Sequence, residues 1–335
     1  MTRKIHSIGV IGDGGWGTTL AIHLSKKNIP VQLWGPFPQY LEEMAKSRQN
    51  SKFLPGIRIP ESVSLQADLS KVIKDNDLII FAVPSKYLRG ILQEIKKGNF
   101  DYSKKIILSV IKGMDTERLL RMSEVIKEEL GQIKIAVLSG PNIALEVAKG
   151  VPSTAVIASK EKNITKTLQG LFNSETFRIY TNTDVVGTEL GGSVKNIIAI
   201  ACGICDGLGF GTNTKAALLT RGLSEIVCLG KALGAQGKTF FGLSGLGDLV
   251  TTCFNPSSRN RSVGERLGHG QPIQEILSSM NMVAEGVDTV KAVYRLSKKL
   301  KVPMPITTEV YQILYKNKNP SQVVADLLSR KTKAE

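Results

Sequence analysis

Apolar and polar positions along the chain follow two different rhythms, one as far as residue 183 and another beyond it. In "IHSIGVIGDGGWGTTLAIHLSKKNIPVQLWG" (5–35), an apolar run from Ile5 to Ile11 reads as a strand that enters a glycine turn. Leu20, Ala21 and Leu24 then recur at helical spacing, Asn28 and Pro30 end the segment, and Val31 to Trp34 read as a second strand. This is the grammar of a βαβ unit. Further strand runs lie in "DLIIFAVPSKYL" (77–88), "KIILSVIKGMD" (105–115), "IKIAVLSGPNIALEVAKG" (133–150), "TAVIAS" (154–159) and "FRIYTN" (177–182). From Asp184 onward the apolar positions take a helical period, as in "GTELGGSVKNIIAIACGICDGL", "NTKAALLTRGLSEIVCLGKAL", "GVDTVKAVYRLSKKL" and "ITTEVYQILYKNK". The pattern predicts an α/β, Rossmann-like doubly wound domain over 1–185, followed by an all-α domain over 186–335.

The first glycine turn, Gly12-Asp13-Gly14-Gly15-Trp16-Gly17, is a G-x-G-x-x-G between a strand and a helix. In such a turn Gly12 permits the tight bend, Gly14 lets the backbone approach a pyrophosphate, and Gly17 lets helix and strand pack closely. The pyrophosphate then rests on the helix N-terminus. A tight βα turn without a ligand is the plain alternative, and the strand–turn–helix setting favours a dinucleotide. A site that prefers NAD usually ends its second strand in Asp or Glu, to hold the ribose 2′-OH. Here "QLWGPFPQY" supplies Gly35 and Pro36 and no acid. No arginine stands there for a 2′-phosphate either, so the choice between NAD and NADP stays open and leans to NADP. Ligands of open α/β sheets bind at the strand ends, which puts Pro84, Lys112 and Asn142 on one candidate rim.

A lysine interrupts the most apolar helix, in "GGSVKNIIAIACGIC" (191–205). An ammonium loses hydration in such surroundings. Either its stem lies along apolar surface with the head in water, or the head does chemistry. Gly191 and Gly192 would leave room at the helix start for cofactor or substrate, while Ile197, Ile198 and Ile200 anchor the helix and Lys195 projects from it.

The chain of 335 residues carries 44 basic and 29 acidic groups, a net charge of +15. The basic residues are scattered without interleaved aromatics, so the charge suits a small phosphorylated ligand and nucleic-acid binding is not expected. No apolar run approaching a bilayer span is read from the sequence, and the N-terminal run is too short for a secretory signal; a cytoplasmic location follows as an expectation. Cys202 and Cys205 form a C-x-x-C inside the apolar run, with Cys228 and Cys253 beyond it. The three histidines, His6, His23 and His269, lie far from that pair in sequence, so the two cysteines read as buried thiols and no metal is assigned.

Taken in order, "IGDGGWGTTLA", "FLPG", "AVPS", "IKGMD", "LSGPNIALEVAKG", "VGTELGGSVKNIIAIACGICDGLGFGTNTKAAL", "LSGLGDLVTTC", "SSRNR" and "VAEGV" resemble the bacterial-type NAD(P)-dependent sn-glycerol-3-phosphate dehydrogenases over nearly the whole chain. Two departures stand out. "LWGPFP" lacks the basic residue or histidine common after the second strand, and Asn142 replaces the usual Ser or Thr after Ser-Gly-Pro. The resemblance implies reversible hydride transfer between NADH or NADPH and dihydroxyacetone phosphate, giving sn-glycerol 3-phosphate for phospholipid synthesis. It implies Lys195 as general acid and base, with Asp248, Lys112 and Asn196 beside it. Gly12, Gly14, Gly15, Trp16, Gly17, Lys112, Gly140, Ala144, Arg259, Val283 and Glu285 would border the cofactor. Lys112, Gly140, Asn142, Lys195, Asp248, Ser258, Arg259 and Asn260 would meet the substrate, and a homodimer is expected. On the residues alone, "SSRNR" also reads as a helix cap with a surface arginine. Rival functions are a related dehydrogenase of hydroxy or sugar acids, a non-catalytic dinucleotide sensor, and a basic nucleic-acid binder.

Overall fold

A computed structural model describes residues 4–280, 282–329 and 331. The strands in chain order are β1 (Ile8–Ile11), β2 (Val31–Trp34), β3 (Gln49–Asn50), β4 (Leu54–Arg58), β5 (Val63–Gln66), β6 (Leu78–Phe81), β7 (Ile106–Ser109), β8 (Lys134–Ser139), β9 (Ser153–Ala158) and β10 (Phe177–Asn182). Interleaved with them are helices α1 (Gly15–Ser25), α2 (Pro38–Ser47), α3 (Leu69–Asp75), α4 (Ser85–Lys97), α5 (Met122–Leu130), α6 (Ala144–Ala148) and α7 (Lys162–Phe172). Eight strands form one sheet in the order β10-β9-β8-β7-β6-β1-β2-β5, and β3 and β4 form a small antiparallel pair. The strands from β5 to β8 in that order run parallel, whereas β9 pairs antiparallel with β8, so β9 and β10 are reversed. Apolar runs without alternation follow from burial on both faces. In β6, Leu78 and Ile80 enter one core while Ile79 and Phe81 enter the other. Strand order reverses between β1 and β6, which puts the turn after β1 at the topological switch point where such sheets take ligands.

The remaining helices are α8 (Val185–Gly207), α9 (Thr212–Ala232), α10 (Asp248–Phe254), α11 (Arg259–Gly268), α12 (Ile273–Ser278), α13 (Glu285–Leu300), α14 (Pro305–Lys316) and α15 (Pro320–Leu328). The compact units divide inside α8, between Glu189 and Leu190, and residues 113–119 join the helical unit. Glu189 stays with the sheet unit for a physical reason. Its buried carboxylate accepts from the Ser123 amide at 2.8 Å and the Ser123 hydroxyl at 2.6 Å, and it pairs with Arg121. Burial nevertheless pushes its pKa up, more than these partners pull it down.

The expectation that no apolar run approaches a bilayer span needs correction. With a mean hydropathy of 1.2, Val185–Gly207 is long and apolar enough to cross a bilayer by length and composition. Since 89% of its apolar window is buried inside the protein, it serves as a core helix.

Candidate active site

The glycine turn is built by close backbone approaches. Gly12 adopts φ +120°, a region an L side chain rarely takes, and its amide donates to the Trp34 carbonyl at 2.9 Å. A Cβ at Gly17 would lie 1.9 Å from the Gly12 carbonyl oxygen, so only glycine lets α1 start this close to β1. Around Gly14, by contrast, an added Cβ meets nothing within 4 Å among the described residues. Helix α1 starts at Gly15 with no side chain capping its N-terminus among the described residues. Open space in front of uncapped amides suits a pyrophosphate, so the residues present fit a dinucleotide. Gly15 is close-packed against Phe53 and Ala144, and the Thr19 hydroxyl donates to the Ala144 carbonyl at 3.1 Å. Trp16 turns its ring edge-on to Phe177, 6.4 Å between centroids, so only its backbone belongs to the turn.

Asp13, the variable residue of the turn, was given no role from the sequence. It is 7% exposed, and its Oδ2 is buried without a hydrogen-bond partner among the described residues. Burial raises its pKa from 3.8 to about 6, against the pull of its own backbone N–H and of the Lys52 charge. Between those two values the folded chain keeps a proton that the unfolded chain has released. Stability therefore falls as pH rises through this window, by about 3 kcal/mol in all. Asp13→Asn is expected to raise Tm at about pH 8 and to change it little at about pH 4. Equal shifts at both, in thermal unfolding followed by circular dichroism, would contradict this account.

On the strand-end rim, Lys112 Nζ donates to the Gly140 carbonyl at 2.9 Å, and Gly140 adopts φ +150°. Asn142 donates through Nδ2 to the Thr154 carbonyl at 2.8 Å, while its Oδ1 is buried without a partner among the described residues. Lys112, Gly140 and Asn142 thus share one end of the sheet.

Within the helical unit, Gly191 does not leave the room expected at the start of the lysine helix. A Cβ there would stand 2.4 Å from the Ser244 carbonyl oxygen, so backbone fills the space expected to serve a ligand. The close approach seats a π-turn, Leu243–Gly247, against α8 and leads straight into Asp248 at the start of α10. Lys195 is 5% exposed and Asp248 1%, so the lysine is held inside the protein and not along its surface. Lys195 Nζ ion-pairs with Asp248 Oδ1 and donates to Thr252 Oγ1 at 2.6 Å. The Thr252 hydroxyl in turn donates to the Asp248 carbonyl at 2.7 Å. Thr252 was missed in the sequence, although it stands four residues after Asp248 and so on the same helix face.

Helices α8 and α11 approach to backbone contact. A Cβ at Gly203 would lie 1.9 Å from the Arg261 carbonyl oxygen, and one at Gly264 1.9 Å from that of Ile200. This contact seats the "SSRNR" segment beside the lysine helix. Ser258 caps α11 by accepting from the Arg261 amide at 3.3 Å, and Asn260 Oδ1 accepts from the Gly286 amide at 2.9 Å. A Cβ on Gly286 would be 2.9 Å from the Asn196 carbonyl oxygen, so Asn196, Asn260 and the start of α13 at Glu285 meet there. Arg259 is exposed and donates to the Val283 carbonyl at 3.0 Å. Cys202, Cys205 and Cys253 are buried free thiols.

A glycine turn at a sheet's switch point, in a chain that also buries a lysine against a carboxylate, suits a nicotinamide-dependent oxidoreductase. Residues 7–165 match the N-terminal model of the NAD-dependent glycerol-3-phosphate dehydrogenases, and 184–325 match the C-terminal model. The chain is 46% identical to the glycerol-3-phosphate dehydrogenase [NAD(P)+] of Syntrophotalea carbinolica, over 98% of this chain and 99% of that protein. It is 45% identical to the enzyme of that name from Chlorobium phaeobacteroides, over 98% of each. Among solved structures, the glycerol-3-phosphate dehydrogenase of Coxiella burnetii superposes with a TM-score of 0.93 at 38% identity, over 97% of this chain and 99% of that one. The chain belongs to the NAD-dependent glycerol-3-phosphate dehydrogenase family.

Proposed function

We propose that this protein transfers a hydride reversibly between NAD(P)H and carbon 2 of dihydroxyacetone phosphate, forming sn-glycerol 3-phosphate. The observation that carries the reading is the buried ammonium of Lys195, held by a carboxylate and a hydroxyl in a chain that matches this family over both units. When bound, the reduced nicotinamide supplies the hydride. Lys195 donates a proton to the ketone oxygen as alkoxide character develops there, and takes it back in the reverse direction. Asp248 and Thr252 fix Nζ in place, and Asp248 balances the charge of the protonated form. Asn196, next along α8, supports the same site.

The amides at the start of α1, with Gly12, Gly14, Gly15 and Gly17, hold the dinucleotide pyrophosphate. Lys112, Gly140 and Asn142 contribute at the strand ends, with Ala144 beside the turn. Arg259 grips the substrate phosphate through its planar guanidinium, and Ser258 and Asn260 fix the backbone that carries it. Cytoplasmic location, a homodimer and supply of phospholipid synthesis belong to the same reading and rest on family membership.

Arg259→Ala is expected to raise KM for dihydroxyacetone phosphate roughly 10- to 100-fold, the worth of a charge-assisted hydrogen bond, with a smaller effect on kcat. An unchanged KM would move the phosphate site elsewhere. The whole reading is tested by supplying NADH deuterated at the transferable position and following the product by NMR. The expected result is sn-glycerol 3-phosphate carrying deuterium at carbon 2. Absence of that product, with NADPH tried as well, would overturn it.

A further inference from the structure

The second strand ends without the acid that commonly holds an adenosine ribose, yet a carboxylate stands at that place. A Cβ on Gly35, the residue after β2, would lie 2.4 Å from Asp13 Oδ2. The side chain of Asp13 thus fills the volume that a residue at position 35 would otherwise occupy. We propose that Asp13, reaching across from the glycine turn to the end of β2, receives the ribose hydroxyls of the adenosine half and makes the enzyme prefer NADH to NADPH.

Three observations converge. Asp13 is 7% exposed and Oδ2 has no hydrogen-bond donor among the described residues, a costly state that ligand hydroxyls would relieve. The group sits beside the open start of α1, where the pyrophosphate is assigned, so the adjoining ribose is within its reach. Its backbone is also pinned. Asn50 Nδ2 donates to the Asp13 carbonyl at 2.6 Å and to Thr18 Oγ1 at 2.8 Å, and Tyr40 Oη holds Asn50 Oδ1 at 2.7 Å. A carboxylate fixed in that place accepts from a 2′-hydroxyl and repels a 2′-phosphate. Lys52 and Tyr40 are the charged and titratable groups facing it. Lys52 lies over the Tyr40 ring, 4.2 Å from its centroid. The lean towards NADP drawn from the missing strand-end acid is reversed on this geometry.

The proposal rests on the dinucleotide site assigned above, and the test separates the two. NADH and NADPH are titrated separately by calorimetry into the wild type, Asp13→Ala, and Asp13→Ala combined with Gly35→Asp. The wild type is expected to bind NADH at least roughly tenfold more tightly than NADPH, a preference that Asp13→Ala abolishes. The double variant returns an acid to the strand end, in the space the first change vacates, and is expected to restore the preference. A wild type that prefers NADPH, or a ratio unmoved in Asp13→Ala, would overturn the role of Asp13 while leaving the dinucleotide site intact. Binding of neither nucleotide by the wild type would overturn the site itself and the proposal with it.

Discussion

Lys195→Ala is expected to lower kcat for dihydroxyacetone phosphate reduction by roughly 10²- to 10⁴-fold, the range set by a positioned general acid, while NADH binding stays within about a factor of two. The change also leaves the Asp248 carboxylate buried without its cation, which costs about 3–5 kcal/mol when a buried pair is broken from one side. Lost folding therefore has to be separated from lost chemistry. Lys195→Met combined with Asp248→Leu removes both charges and keeps apolar volume in their place, so its Tm is expected near the wild-type value. If the double variant is stable and inactive, the pair serves chemistry. If it is stable and turns over at a wild-type rate, the pair is structural and Lys195 is not the proton donor.

The second large effect is expected at the turn. Gly17→Ala puts a methyl group 1.9 Å from the backbone carbonyl oxygen of Gly12, which cannot swing aside as a side chain would. Either α1 shifts away from β1 or the turn opens, and both move the amides that face the pyrophosphate. NADH affinity is expected to fall at least roughly 100-fold, together with a lower Tm, since overpacking of this kind costs about 1–3 kcal/mol or more. Gly14→Ala is the matched control, because an added Cβ there meets no atom of the described residues within 4 Å. It should keep the wild-type Tm and weaken only dinucleotide binding. A fall in Tm at Gly14, or wild-type NADH affinity in Gly17→Ala, would show that the turn is not built as described.

Much of this architecture was legible in the chain because each element states its own period. Continuous apolar runs announced β1, β6 and β7, and the change to helical spacing beyond residue 183 announced the second half. Strand direction leaves no such mark, so the reversal of β9 and β10 comes only from the pairing of Val137 with Ala158 and its neighbours. The short β3–β4 pair escaped notice because "LPGIR" is largely exposed and broken by Pro and Gly. Lys195 was conspicuous as a charge among apolar residues, whereas its partners lie more than fifty positions away along the chain. Thr252 had a usable signal in its spacing from Asp248; Asp13 had none, since it fills a position where the fingerprint accepts any residue. The glycines were the least legible. Gly14 and Gly191 look alike in sequence, but one faces open space and the other the Ser244 carbonyl. Only tertiary neighbours distinguish a glycine that admits a ligand from one that admits backbone. Reading run length alone also overlooks that the apolar window of α8 has the length and composition of a span; its burial is what marks it as a core helix.

In the proposed reaction a buried lysine protonates the ketone of dihydroxyacetone phosphate while a nicotinamide reduces it. Its most direct measurement is the rate of NADH and NADPH oxidation on adding dihydroxyacetone phosphate, run side by side for the wild type and Lys195→Ala at saturating cofactor. Steady turnover by the wild type with at least one cofactor is expected, with near-complete loss in a Lys195→Ala protein that still binds the nucleotide. Turnover that survives without Lys195, or a wild type inert with both cofactors, would contradict it.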